Sequence, residues 1–577
     1  MKFINRLLSI ILIIAVVSCD NTEFDLQDDP NAVTAENASV NDLYNNIQLT
    51  FSAIFNAVGG DSAPGQMARM YHNNSYTYQV STSQTTFNGL WFNAYSNMFP
   101  DIDALLTLTE EKGLAIHSGS ALIMKAYTLM ALVDLMGNVP FLDAGQGTEV
   151  ISPAATPGDQ VYQAADDLLT SAINLLSGTT AALPSNDNFY GGDAAKWVTC
   201  AKSLRLRAAI TKRLIDPSGS ASTINALVSE GDLIDEAGED FQFNFGQTRN
   251  NPNSRHPFYN NHYETGDGTY IPNYYMWLLR ADKIDADENL VVDPRIRYYF
   301  YRKVDDAVGQ DQTTYGCHFS NLPDQNAQPA HYAAIDPRLP YCVASEDGYS
   351  GRDFLNGEGI PPDGPTRTSY GLYPGGGQFD DNTFDDTRQS GTTGGLGQGI
   401  HPIMLASFTD FMRAEAALMI GTNDDPRALL ESGMQKSIAK VKSFGSLVAA
   451  TLSRQIDDPL TMESRSVEEL FVPTDEDVQA YIDFVLAQYD AAGDKDKQLD
   501  IVMKEYLIAL YGNGLEAYNM YRRTGKPDNM APALEPEPGE FIRSFFLPDV
   551  HVNRNATASQ KSLSDRVFWD DGSIDLY

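Results

Sequence analysis

Thr156–Leu176, TPGDQVYQAADDLLTSAINLL, is the stretch from which the fold is read. Thr156 offers an N-cap hydroxyl, Pro157 stands at the first helical position, and Asp159 puts an acid in the first turn. Val161, Ala165, Leu168, Ala172 and Leu175 follow at the spacing of one apolar stripe on a helix. A partner helix begins at Asp193, with Trp197, Cys200, Ala201, Leu204, Ala208 and Leu214 on its buried face. Lys202, Arg205, Arg207 and Arg213 are expected on its wet face. Two amphipathic helices in succession predict a packed pair.

The same pattern extends to both sides. Upstream, a first helix runs from about Val40 to Val58 and ends at Gly59-Gly60. Gly89–Glu111 (Trp91, Tyr95, Ile102, Leu105, Leu106) then pairs with Ser118–Met136, with Pro100 expected to kink or split the former. Ser118–Met136 is apolar nearly all round, as a helix packed between two others should be, and Gly137 and Pro140 end it. Downstream, Ile403–Ile420 pairs with Arg427–Phe444, and Asp475–Tyr489 with Lys497–Thr524, which Gly525 and Pro527 terminate. Between Asp216 and about Ile400 the periodicity fails and Gly, Pro, Asn, Asp and Tyr dominate. A structureless loop of that length does not suit a compact domain, so loops, short strands and single helical turns are expected there. The predicted fold is mainly α: a tetratricopeptide-like scaffold of four helix pairs carrying a large, irregular, loop-rich insertion lobe. Its scaffold covers about 40–215 and 401–525, its lobe about 216–400, and a polar, aromatic tail 526–577. The roughly 34-residue signature of true repeats is absent, so this reading rests on helix pairing.

Met1–Cys19, MKFINRLLSIILIIAVVSC, has a basic start (Lys2, Arg6), an apolar run from Leu7 to Val17, and Ser18 directly before Cys19. The run is shorter than the roughly 20 residues a membrane span needs and has the parts of an export signal. A cysteine in that place is where bacterial lipoprotein precursors are cut and acylated. We therefore expect 1–18 to be a signal peptide, Cys19 to be lipidated, and 19–39 to be an acidic flexible leash before the body at 40–577. The chain carries 40 basic and 77 acidic side chains, a net charge of −37. Such a surface repels phosphate backbones and anionic headgroups, which argues against nucleic acid and leaves membrane attachment to the lipid anchor. Cys200 reads as core; Cys317 and Cys342 share one loop-rich segment, and whether they pair is open.

Several stretches together resemble the SusD/RagB family of Bacteroidota outer-membrane lipoproteins. They are Cys19 with its leash, Lys125–Tyr127 with Asp134–Phe141, Ala195–Trp197 with Ser203–Ala209, Asp293-Pro294-Arg295, Tyr373–Gly377 and Gly514–Gly525. The resemblance spans essentially the whole mature chain. It implies a nutrient-binding lipoprotein exposed at the cell surface, partnered with a SusC-like TonB-dependent outer-membrane transporter. Its ligands would be oligosaccharides, or in some relatives peptides. The motif residues themselves, Trp197 and the Glu516, Arg522 and Arg523 cluster, read as a buried aromatic and intrahelical charge pairs.

Sugar recognition needs aromatic faces for stacking and amides, carboxylates or arginines for the hydroxyls. Arg69–Gln79 (RMYHNNSYTYQ) supplies Tyr71, Tyr76 and Tyr78 with Asn73 and Asn74, and Tyr270–Trp277 (YIPNYYMW) supplies Tyr274, Tyr275 and Trp277. Tyr315 is a further candidate, and Trp277 is the tryptophan expected to matter most. No catalytic residue, cofactor or metal is expected: HExxH, GxSxG and GxxxxGK[ST] are absent. Asp380, Asp381, Asp385 and Asp386 lack EF-hand spacing and read as a solvated acidic loop. The sequence thus favours a non-catalytic glycan-binding protein. A peptide-binding relative, a lipoprotein glycoside hydrolase and a protein adaptor are the alternatives.

Overall fold

The computed structural model describes residues 39–264, 269–305, 328–345, 347–357, 367–385, 391–458 and 460–577. The signal, Cys19 and nearly all of the leash lie outside them, as do Tyr315, Cys317 and Asp386. Twelve longer helices are labelled here: α1 (Val40–Gly59), α2 (Phe99–Lys112), α3 (Ala115–Met136), α4 (Gly158–Leu176), α5 (Ala194–Thr211), α6 (Pro217–Glu230), α7 (Asn273–Arg280), α8 (Ala406–Met419), α9 (Pro426–Ser443), α10 (Asp475–Ala491), α11 (Lys495–Ala509) and α12 (Gly514–Thr524). The pairs α2–α3, α4–α5, α8–α9 and α10–α11 pack as expected, and α3 lies between α2 and α4. That position explains its sequence. It is long and apolar enough to cross a membrane, yet nearly all of it is buried inside the protein.

Local sequence sets most of the boundaries. Asp193 caps α5 by accepting from the N–H groups of Ala195 and Lys196, and Asp425 does the same for α9. Thr474 and Asp477 form a capping box at α10. Pro100 does not break its helix. Asn93–Met98 is π-helical, and the α-helical path resumes at Phe99, so the helix carries the proline by widening to a π-turn directly before it.

Four local expectations are corrected. Helix α4 starts at Gly158, and Thr156 gives it no cap, because its hydroxyl accepts from Leu142 N–H while Asn138 Oδ1 takes the Gly158 N–H. The buried stripe of α4 runs through Leu169 and Leu176; Leu168 is half-buried and Leu175 is exposed. Lys497–Thr524 is two helices, because Gly512, at φ 102°, turns the chain and Asn513 caps α12 anew. The irregular lobe also starts later than Asp216, since α6 extends the scaffold to Glu230.

Short strands occur on both parts. β1 (Val139–Pro140) and β2 (Ala155–Thr156) pair on the scaffold, and β3 (Phe241–Asn244), β4 (Phe300–Tyr301), β5 (Ser369–Tyr370) and β6 (Ile400–Met404) hold the lobe. Antiparallel β3–β6 pairing clamps the entry of the lobe to its exit, and β4–β5 braces its interior. The lobe docks on the scaffold through α7, where Tyr275 Oη donates to Leu507 O at 2.7 Å and stacks on Tyr511. Cys342 is disulfide-bonded, and Cys200 is a buried free thiol.

The family-motif charges are buried between helices and do not form surface pairs. Arg207 bridges Asp134 of α3 (2.8 Å) and Glu516 of α12 (2.9 Å). Glu415 of α8 takes Arg213 at 2.7 Å and Arg523 at 2.9 Å, and Arg523 also reaches Glu516 at 2.8 Å. Arg207 and Arg213 are therefore core residues, contrary to the wet face expected for them. Asp293 and Arg295 join Glu505 and Tyr481 in a second buried knot. The acidic loop is solvated at Asp385 but not at its first two carboxylates. Asp380 is paired with Arg302 at 2.7 Å and Asp381 with Arg454 at 2.7 Å. Among the described residues no group of acids, histidines or cysteines is arranged to hold a metal.

Candidate ligand-binding site

Leaving α1, the chain turns at Arg69, which takes a left-handed conformation (φ 57°) and is wholly buried. Its guanidinium donates to Ala531 O at 2.9 Å, Tyr78 Oη at 3.1 Å and Tyr577 O at 2.7 Å, and lies 3.9 Å from the Phe354 ring centroid. This anchor leads into a run in which burial follows no strict alternation, His72 and Ser75 being buried as well. Tyr71, Asn73 and Tyr78 face inward: Tyr71 packs on Phe258, Tyr370 and Tyr511, and Asn73 Nδ2 donates to Gln66 Oε1 at 2.7 Å. Asn74 and Tyr76 face solvent, Tyr76 with 45 % of its surface exposed.

The lobe comes up against these two residues. The Tyr76 ring lies over the backbone of Gly357, where an added Cβ would sit 2.9 Å from Tyr76 Cε2 and from Asn74 O. His72 Nε2 is 3.2 Å from Asn356 O, and its ring meets the Tyr270 ring edge-on at 5.8 Å. Burial, reinforced by the Arg352 charge, pushes the His72 imidazole down to about 3, so it stays neutral. Tyr270 is flanked by Arg352 and Arg367, whose guanidinium carbons lie 3.9 and 4.2 Å from its centroid, and Arg352 Nη2 donates to its hydroxyl at 2.7 Å. With two guanidinium groups that close, the Tyr270 ring is covered and is not a platform for a ligand. Asp61 holds the Thr269 hydroxyl at 2.5 Å, and burial raises its carboxyl above the usual range.

The surface at this junction therefore offers one exposed aromatic ring (Tyr76) and one amide (Asn74), with the Arg352 charge of the lobe close to His72 beneath them. It can stack the C–H face of a sugar ring and bond its hydroxyls. Of the nine ligand residues expected from the sequence, Tyr76 and Asn74 meet here at the surface. Trp277, Tyr274 and Tyr275 do not: each is no more than 3 % exposed, because α7 is the plug that docks the lobe. Tyr71, Tyr78 and Asn73 are likewise core, and Tyr315 lies outside the described residues. All four tryptophans are buried, Trp91 at 8 % exposure being the least so. Arg352 and Arg367 escaped the sequence reading, since arginines more than 270 residues from Tyr76 in chain order carry no local signal.

Residues 30–339 match the family model described as "Starch-binding associating with outer membrane", SusD-like, and residues 395–562 match "Susd and RagB outer membrane lipoprotein". The chain belongs to the SusD/RagB family. This SusD-like chain also shares its fold with solved structures. A chitin-binding SusD homologue from Flavobacterium johnsoniae is 17 % identical over 93 % of this chain and 99 % of its own, with a TM-score of 0.60. A second chitin-binding protein is 16 % identical over 92 % and 100 %, with a TM-score of 0.62. A SusD homologue from Bacteroides uniformis is 16 % identical over 92 % and 99 %, with a TM-score of 0.57. No curated protein sequence matches the SusD-like chain.

Proposed function

We propose that this SusD-like chain is a glycan-binding lipoprotein, anchored through Cys19 in the outer membrane and exposed at the cell surface. It captures oligosaccharide at the Tyr76–Asn74 surface and passes it, uncut, to a SusC-like TonB-dependent transporter. The observation that carries the binding reading is the exposed ring of Tyr76 beside the Asn74 amide, at the seam between scaffold and lobe. Flat aromatic area plus a few fixed polar groups is the pattern of sugar sites. Chitin binding by two proteins of the same fold supports an oligosaccharide as the ligand class. Outer-membrane lipoproteins and outer-membrane association in the family descriptions support the location.

Calorimetric titration with a panel of oligosaccharides, chito-oligosaccharides first, tests the reading. Tyr76→Ala is expected to weaken binding about tenfold, or ~1.4 kcal/mol, with only a small drop in melting temperature because the ring is half-exposed. No binding by any glycan, or equal affinity in the variant, would reject the site. Release of reducing ends above background during the titration would reject the non-catalytic part.

A further inference from the structure

A cavity of about 370 Å³ lies far along the chain from Tyr76, where the end of α3 meets the C-terminal tail. Lys561 lines it. Its ammonium donates to Met136 O, the last carbonyl of α3, at 2.9 Å and to Ser544 Oγ, which leaves one N–H of three. No carboxylate among the described residues forms an ion pair with it, in a chain with 77 acids. Asp565, on the cavity rim, instead accepts from Ser562 N–H. Arg566 donates to Asp571 O, and His551, the other basic side chain at the cavity, stacks on Trp91 at 4.4 Å. Burial, with the Arg522 charge behind it, brings the Lys561 ammonium down to about 8, against a partial opposing pull from Asp565. Capping α3 needs one donor and does not require the head group to face a cavity. A half-buried cation without a counter-ion is costly, and an external anion removes that cost.

The remaining walls suit more than a bare ion. Phe568 and Leu547 give apolar surface, Ser559 a hydroxyl, and Asn138, whose Oδ1 is taken by Gly158 N–H, an amide NH2. The volume falls in the range of small-molecule sites and exceeds what a two-carbon anion fills. We propose that this cavity is a second ligand site, for a sugar acid of one ring, with its carboxylate on the Lys561 ammonium and its apolar face on Phe568.

Competitive acetylation of the mature chain, read at the Lys561 peptide by mass spectrometry, tests this with glucuronate, glucose and acetate at fixed ionic strength. Glucuronate is expected to slow labelling of Lys561 about fivefold, as a charge-assisted contact should, while glucose and acetate leave it unchanged. Ala558→Trp fills the cavity with Lys561 intact and is expected to abolish the protection. Lys561→Met is expected to weaken calorimetric binding of glucuronate roughly tenfold. Absent protection, equal protection by acetate or glucose, or protection that survives Ala558→Trp would each overturn the proposal.

Discussion

Tyr76 and Trp277 are both aromatic, both next to further aromatics in sequence, and have opposite fates. Tyr76 points outward from an extended run, whereas Trp277 sits at 3 % exposure beside Tyr274, with Arg338 over its ring at 6.0 Å. Trp277→Ala is therefore a packing mutation, expected to cost about 3–5 kcal/mol. Its denaturant midpoint should fall, and affinity at the Tyr76 surface should hold for the molecules that stay folded. Buried histidines set a second expectation. His72 and His256 are pushed down to about 3 by burial, and His401, edge-on to His256 at 5.0 Å, is pushed well below its usual value. Unfolded imidazoles take a proton near 6.5, so below that pH the unfolded chain binds more protons than the folded one. Stability is then full above about pH 6.5 and falls as pH drops through that value toward 3. Urea midpoints measured between pH 7.5 and 5 should decline, and less steeply in His401→Phe, whose ring takes no proton. A flat profile would contradict the burial of these rings.

Elements show where sequence patterning holds and where it inverts. Helix α4 follows the usual rule, with apolar residues inward and acids outward, so its position was legible from Val161, Ala165 and Ala172, with only the leucines misassigned by one residue. Helix α12 breaks it: Glu516, Asn519, Arg522 and Arg523 are all buried. Their partners Asp134, Arg207, Arg213 and Glu415 come from α3, the α5 region and α8. Charge on a helix ordinarily predicts water, and no spacing rule announces that four helices will meet at one charged seam. Glu415 compensates two buried guanidiniums, so Glu415→Ala should destabilise by about 3–5 kcal/mol. Chemical unfolding measures that cost; a change below ~1 kcal/mol would mean the seam is wet.

At the scale of the molecule, lobe and scaffold share one core. Arg295 and Lys283 of the lobe reach Glu505 of α11 at 3.0 Å each, and α7 packs under Tyr511. Calorimetry should accordingly give a single unfolding transition, and a separate lobe transition would contradict a shared core. The helix pairs, the irregular insertion and the family were all readable from the sequence, because periodicity, caps and turn residues act within a few positions of themselves. The chain alone determined that a helical scaffold would carry an aromatic-rich lobe. Only the tertiary structure decided which aromatics face water. A ring's exposure depends on what packs against it from hundreds of residues away: α11 covers Tyr275, the C-terminal tail and lobe cover Tyr78, and Gly357, lacking a side chain, leaves Tyr76 open.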